Sequence, residues 1–279
     1  MAASAMGIGG VVAFADVGDV RLFFTDEGTE DPPILFVHGY SCDSHDWMWQ
    51  LPHFTESHRV IAVDLRGHGR SGVPDKDFDA RTLADDLAGL IGQLGCGPVV
   101  AVGHSLGGVV VSALAVEHPS LVQAVVSVDP GYLIPDEFQP MIEALLEGLE
   151  DDPVSTVQGL LGTSSYTPAS PTYLKSWHMR RIAGVPPHVL RDTGVALFET
   201  GSLAYREVSE EYLQRRECPV LAIYAAPDRA ALEATLLTQP HSEAIAWDGS
   251  GHWLHQERPD DFNRLVDSWI ASLGTPSTT

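Results

Sequence analysis

Residues Pro98-Val-Val-Ala-Val-Gly103-His104-Ser105-Leu106-Gly107-Gly108-Val109-Val110-Val111 decide how this chain is read: an apolar strand stops at a glycine-flanked serine and resumes as a helix. A serine hydroxyl is a weak nucleophile at neutral pH. It needs a base within hydrogen-bond reach and donors waiting for the oxyanion that its attack creates. A sharp strand-to-helix turn lifts the hydroxyl clear of the sheet and aims a helix N-terminus at the same spot. Gly103 and Gly107 let the backbone pass close to its neighbours through such a turn, and Gly108 lets the helix lie tightly on the sheet. With 26 glycines in the chain, G-x-S-x-G alone is weak, so the weight falls on its context.

Three other segments supply that context. Ile34-Leu-Phe-Val-His38-Gly39-Tyr40 is a buried-type strand ending in His-Gly, and Arg59-Val-Ile-Ala-Val-Asp64 is another, running into the glycine-rich loop Leu65-Arg-Gly-His-Gly-Arg-Ser71. Near the C-terminus Ala246-Trp-Asp-Gly-Ser-Gly-His252-Trp253 leads from a strand into a turn that carries a histidine. With these landmarks, in this order, the chain resembles the α/β-hydrolase superfamily from about Asp19 to Leu273. The resemblance implies an α/β fold with a mostly parallel eight-stranded sheet, helices on both faces and an inserted helical cap. It leaves the substrate open, since this fold hosts esterases, lactonases, carbon-carbon hydrolases, dehalogenases, perhydrolases, lyases and receptors.

At 279 residues with 44% apolar content, the chain can bury a large core, and the alternation of strand and helix patterns argues one α/β domain. The hydrophobic runs predict an edge hairpin at Val11–Val17 and Val20–Thr25, then strands near 33–38, 59–64, 98–103, 122–128, 219–225 and 243–247. Their near-continuous Val, Ile, Leu and Ala content marks parallel strands covered on both faces. Helical spacing recurs in Thr82–Ile91, from Leu106 to about His118, and in Phe262–Leu273 after Pro259. From Gly131 to about Arg206 the rhythm breaks into helical patterns such as Phe138–Leu149 and Leu174–Ile182, with Pro and Ser clusters between them. The expected organisation is a core of 1–130 and 207–279 and a cap of 131–206 over the carboxyl ends of the strands, where ligands of such sheets bind.

The formal charge of −22, from 38 acidic and 16 basic residues, opposes nucleic acid and anionic lipid and suits a neutral small molecule. Three cysteines, Cys42, Cys96 and Cys218, form no paired framework, which fits a reducing compartment. Met1–Gly10 lacks a basic leader pattern and no run approaches membrane-spanning length, so a soluble cytoplasmic protein is expected. The tail Gly274–Thr279 has a composition expected to be dispensable.

Ser105 is the candidate nucleophile and His252 the candidate general base, because imidazole changes charge near neutral pH and Gly249-Ser-Gly251 gives its loop freedom. No histidine pair shows zincin spacing and no His/Cys cluster suggests a metal, so neither metal nor cofactor is expected. The resemblance implies an oxyanion hole made of the backbone amides of Tyr40 and Leu106. Trp177, Tyr173, Trp253 and His104 are candidates for contact with substrate, each against the plainer reading of core packing. Two aspartates compete for the acid. Asp228 ends the strand that begins at Pro219, where the commonest family pattern keeps it, but a helical run starts at Arg229 at once. Asp129 ends the previous strand, 24 positions beyond Ser105, and resembles the arrangement of some haloalkane dehalogenases and fungal lactonases. Asp129 is favoured, with Asp228 as the alternative.

These residues predict a serine hydrolase acting on a neutral, mostly apolar carboxylic ester or lactone. Serine rather than aspartate at the elbow argues against dehalogenase and epoxide hydrolase chemistry, which in those relatives needs a carboxylate nucleophile. A carbon-carbon hydrolase or perhydrolase using the same residues, a hydroxynitrile lyase, and a ligand receptor are the alternatives.

Overall fold

A computed structural model describes residues 10–274 and, as backbone, Ser4–Ala5. The expectations for most of Met1–Gly10 and for the tail beyond Gly274 lie outside the described residues. The strands are β1 (Ser4–Ala5), β2 (Val11–Val17), β3 (Val20–Glu27), β4 (Ile34–Val37), β5 (Val60–Val63), β6 (Val99–His104), β7 (Val122–Val128), β8 (Val220–Tyr224) and β9 (Glu243–Ala246). All eight strands expected from the sequence form, and the two-residue β1 adds a short antiparallel edge to β2. The helices are α1 (Leu51–Phe54), α2 (Ala80–Leu94), α3 (Leu106–Glu117), α4 (Gln139–Asp151), α5 (Pro153–Ser164), α6 (Thr172–Ile182), α7 (Pro187–Phe198), α8 (Arg206–Leu213), α9 (Pro227–Ala234), α10 (Leu254–Glu257) and α11 (Pro259–Leu273).

The sheet order is β1-β2-β3-β5-β4-β6-β7-β8-β9, antiparallel through β3 and β5 and parallel from β5 to β9. After β4 the chain crosses to β5 on one side and then returns to β6 on the other. The carboxyl ends of β4 and β6 therefore flank a topological switch point, where loops diverge and leave a crevice. His38-Gly39-Tyr40 and Ser105 follow those two ends.

Alternation along the parallel strands feeds two cores. Leu35 and Val37 of β4 join Leu83, Leu87, Val110 and Leu114 on one face, while Ile34 and Phe36 join Phe262, Val266 and Trp269 on the other. Helix α3 is apolar all round and buried along nearly its whole length, as a helix wedged between sheet and neighbours must be. Helix α2 starts two residues earlier than its apolar spacing predicts because the Asp79 side chain accepts from the amides of Arg81 and Thr82, and it ends at Gly95 in the left-handed region (φ 59°).

Between β7 and β8 the chain carries α4 to α8 and one isolated bridge, Ile134 to Tyr205. The two helices read from spacing appear as α4 and α6. Two more, α5 and α7, fill the stretches that read as Pro and Ser clusters; each has a proline in its first turn, where no amide partner is lost. Among the described residues no helix is long and apolar enough to cross a membrane, and the three cysteines are free and buried.

Candidate active site

Ser105 joins β6 to α3 with φ 52° and ψ −114°, a conformation that costs a non-glycine residue about 1–3 kcal/mol and persists only where its surroundings dictate it. Here they do. The Ser105 amide donates to Val128 O at 2.9 Å, and its carbonyl accepts from Gly108 and Gly131 at 3.0 and 3.1 Å. A Cβ on Gly103 would lie 2.2 Å from Gly107 O, and one on Gly107 would lie 2.2 Å from Val37 O, so neither position admits a side chain. Leu106 is the first residue of α3, and its amide has no intrahelical acceptor. A Cβ on Gly39 would stand 3.2 Å from Ser105 Cβ, which puts the His-Gly-Tyr turn directly against the serine. The Tyr40 hydroxyl is turned away from that turn and donates to Leu190 O of α7.

The structure brings Asp129, not Asp228, to His252: Nδ1 and Asp129 Oδ2 are 2.6 Å apart. Asp129 also adopts a positive φ, 40°, and its Oδ1 accepts from the Ala225 amide at 3.3 Å and faces Arg229 NH1 at 3.5 Å. Burial pushes its carboxyl up, but the hydrogen bond and charge of His252 and the Arg229 cation outweigh that and hold it below the ordinary carboxylate range. Asp228 is exposed in the first turn of α9, which starts at Pro227 and leaves no loop to carry the carboxylate toward the imidazole.

The loop bearing His252 is held rather than free. The His252 amide donates to Ser165 O at 2.9 Å, Gly251 N donates to Glu257 Oε2 at 2.8 Å, and Ser170 Oγ donates to Glu257 Oε1 at 2.7 Å. A Cβ on Gly251 would lie 2.5 Å from Glu257 Oε1 and 2.6 Å from Ser165 O, so this glycine serves close approach, not the mobility read from the sequence. From beneath, His104 Nε2 lies 2.9 Å from His252 O; a carbonyl only accepts, so that nitrogen carries the proton. Burial, and the nearby His252, push His104 well below the ordinary histidine range, and the ring stays neutral.

A cavity of about 320 Å³ opens over Ser105 and His252. Its apolar wall comes chiefly from Ile134, Phe138, Leu160, Leu161, Leu197 and Phe198, all between β7 and β8. His104 and Trp253 border it. Trp177 and Tyr173 do not, which corrects the expectation from the sequence. Helix α6 turns Leu174, His178 and Ile182 inward, leaving Tyr173 54% exposed, while Trp177 packs edge-on against Trp49 at 6.1 Å. The Leu160-Leu161 and Leu197-Phe198 pairs carry a sequence signal, adjacent apolar residues in helical runs, but nothing in it tells a pocket wall from core.

Sequence reading also missed a buried polar cluster under the site. Ligand-type atoms of Asp46, His104 and His255 lie within 4.8 Å of one another, though the residues come from three distant segments. Arg181 NH1 of α6 already ion-pairs with Asp46 Oδ1 at 2.6 Å, so the carboxylate has its cation. Gln256 Nε2 donates to Asp46 Oδ1 at 3.0 Å, and Gln256 Oε1 meets His178 Nε2 at 3.0 Å. The cluster thus ties α6 to the loops around His252, and burial presses His178 down to about 4.

With this geometry in view, residues 34–265 match the model of the alpha/beta hydrolase family. The chain belongs to that family. Among its curated relatives, a 2-(acetamidomethylene)succinate hydrolase of Mesorhizobium japonicum is 28% identical, covering 91% of this chain and 93% of the relative. A bifunctional esterase/perhydrolase of Acinetobacter calcoaceticus is 30% identical, covering 91% and 97%. Among solved structures, a thermophilic esterase from Thermogutta terrifontis superposes with a TM-score of 0.79 at 24% identity, covering 92% of this chain and 95% of that one. This alpha/beta hydrolase is accordingly a hydrolase by family, with relatives of several substrate types.

Proposed function

We propose that the protein is a serine hydrolase that cleaves a neutral, mostly apolar carboxylic ester or lactone through an acyl-enzyme. The observation that carries this reading is the Asp129–His252 contact at 2.6 Å, set beside the strained Ser105 at the floor of an apolar cavity. Ser105 Oγ attacks the substrate carbonyl while His252 Nε2 takes its proton, and Asp129 holds the opposite ring nitrogen and stabilises the imidazolium. The amides of Leu106 and Tyr40 stabilise the tetrahedral oxyanion, which forms only as the transition state is approached. Collapse expels the alcohol, which takes its proton from Nε2. Water then attacks the acyl group as His252 accepts its proton, and collapse of the second tetrahedral intermediate breaks the bond to Ser105 Oγ, which takes that proton back from Nε2 as the acid leaves. Residues 131–206 act as the cap that closes this pocket.

The cavity chemistry supports a neutral substrate. Among its described lining residues Arg229 is the sole Lys or Arg, and its guanidinium is already engaged by Asp129, Pro130 O and Tyr132 O. A dicarboxylate such as the relative's succinate derivative would find no free counterion here. Serine at position 105, where an epoxide hydrolase needs a carboxylate, favours acyl transfer.

The test is a hydrolysis screen over p-nitrophenyl esters of graded chain length and over aliphatic and aromatic lactones, run beside Ser105→Ala and an organophosphonate. Hydrolysis should fall by about 10⁶ in kcat in the alanine variant with the fold retained, and the phosphonate should label the wild type once, at Ser105. Near-normal turnover by Ser105→Ala overturns the reading.

A further inference from the structure

The geometry points to Arg229 as the positioning residue that delivers Asp129 to His252, an inference that rests on the serine-hydrolase reading above. The Asp129 carboxylate stands at the start of a tight turn, with the residue itself at φ 40° and Leu133 at φ 55°, both uncommon for side-chain-bearing residues. Backbone of this kind holds only where neighbours fix it. The Arg229 guanidinium does so from the start of α9. Its NH2 donates to Pro130 O and, at 2.8 Å, to Tyr132 O, while NH1 stands 3.5 Å from Asp129 Oδ1. One guanidinium nitrogen thus grips two carbonyls of the turn while the other faces the carboxylate that the turn presents. The Arg229 Cζ stands over the Tyr224 ring, 4.9 Å from the centroid, a cation–π contact that helps to hold the guanidinium in place.

The charges around the turn leave this role to Arg229. Behind it, Glu233 is paired with Arg216 at 2.8 Å and takes the hydroxyls of Tyr132 and Tyr224, so that ion pair is closed on itself. On the side of the imidazole, His104 is buried and neutral. Among the described residues, Arg229 is the Lys or Arg that pairs with Asp129. The contact at 3.5 Å is long for a hydrogen bond, so the two effects separate: the carbonyl bonds set where the carboxylate sits, and the positive charge acts on Asp129 through space. A lysine could keep the charge, but its single nitrogen cannot both grip the two carbonyls and stand where NH1 faces the carboxylate. The same α9 that removes Asp228 from the site puts Arg229 into it.

The experiment is a double-mutant cycle of Arg229→Met with Asp129→Asn, with Arg229→Lys alongside, reading kcat, KM, the acid limb of kcat/KM against pH, and phosphonate labelling of Ser105. Arg229→Met should lower kcat about 10- to 100-fold with KM nearly unchanged. Its acid limb should move up by about half a pH unit or more, because losing a nearby cation favours the imidazolium. Arg229→Lys should lose kcat but keep the wild-type limb. In the Asp129→Asn background, Arg229→Met should cost less than about twofold more, since it acts through that carboxylate. An additive loss in the cycle, or a fall in kcat of Arg229→Met with an unmoved acid limb, makes Arg229 an ordinary structural arginine and overturns the proposal. If Arg229→Met does not fold, Arg229→Lys decides, and wild-type kcat in that variant overturns it. A wild type that the phosphonate fails to label brings down the serine-hydrolase reading and this inference with it; a labelled wild type confines any failure to Arg229.

Discussion

His252 Nδ1 and Asp129 Oδ2 meet at 2.6 Å across 123 residues of sequence, and Asp228, in the first turn of the helix that follows the next strand, has no part in the contact. The carboxylate that meets the imidazole thus follows β7 and not β8. Replacing it should leave serine and histidine in place while the imidazole samples the wrong tautomer. Asp129→Asn should therefore lose about 10³ to 10⁴ in kcat, whereas Asp228→Asn should stay within roughly tenfold of wild type. Steady-state kinetics on one good ester, with melting curves to show both variants folded, check this. The reverse ranking would return the role to Asp228.

The cavity wall makes a second prediction. Leu160, Leu161 and Phe198 border the pocket, so Leu161→Ala or Phe198→Ala should shift the preferred acyl chain length by enlarging the space that a longer chain fills. Trp177→Ala and Tyr173→Ala should leave the ranking of esters as it was, because neither ring reaches the cavity. Measuring kcat/KM across the graded esters for all four variants checks both halves. A changed ranking in Trp177→Ala, with Leu161→Ala neutral, would relocate the acyl site toward α6.

What the sequence revealed, and what it hid, follows from the range of the interactions involved. The parallel strands were legible because burial on both faces demands unbroken Val, Ile and Ala runs, and the elbow because its glycines are forced by backbone approach within a few residues. Asp129 and Asp228 were legible as two candidate acids; which of them meets His252 is set by the position of α9, starting at Pro227. The aromatic candidates Trp177 and Tyr173 failed for a different reason. Which face of α6 turns inward is set by the buried Arg181–Asp46 pair and the His178–Gln256 bond, contacts between segments far apart in the chain. The hold of Ser165 and Glu257 on the His252 loop is hidden in the same way, since nothing local to a Gly-Ser-Gly stretch distinguishes a clamped turn from a loose one.

The buried histidines predict how stability responds to acid. His104 and His255 lie well below the ordinary histidine range, His178 at about 4 and His68 at about 3, in each case chiefly because burial disfavours the charged ring. Above about pH 6.5 these rings are neutral in both folded and unfolded chains and contribute no pH dependence. As pH falls below that value the unfolded chain takes up protons that the folded chain refuses, so stability declines, and for His178 the decline continues to about pH 4. Each such ring adds up to about 1.4 kcal/mol per pH unit to the slope. The lowered carboxyls Asp46 and Asp129 lose their stabilising ionisation as pH falls through the ordinary carboxylate range, and Asp86, raised by burial, acts in the opposite sense, so the decline that starts near pH 6.5 is led by the buried histidines. His178 is the ring to test. Packed on Trp253 at 3.7 Å and bonded to Tyr166 and Gln256, with the charges of Asp46 and Arg181 acting on it, His178 lies among residues other than Ser105. His178→Gln, which keeps an amide for Gln256, should flatten the fall in unfolding free energy between pH 6.5 and 4.5 by close to one proton. Urea titrations at half-unit steps of pH measure that slope directly, and a slope identical to wild type would mean that His178 is already protonated in the folded protein.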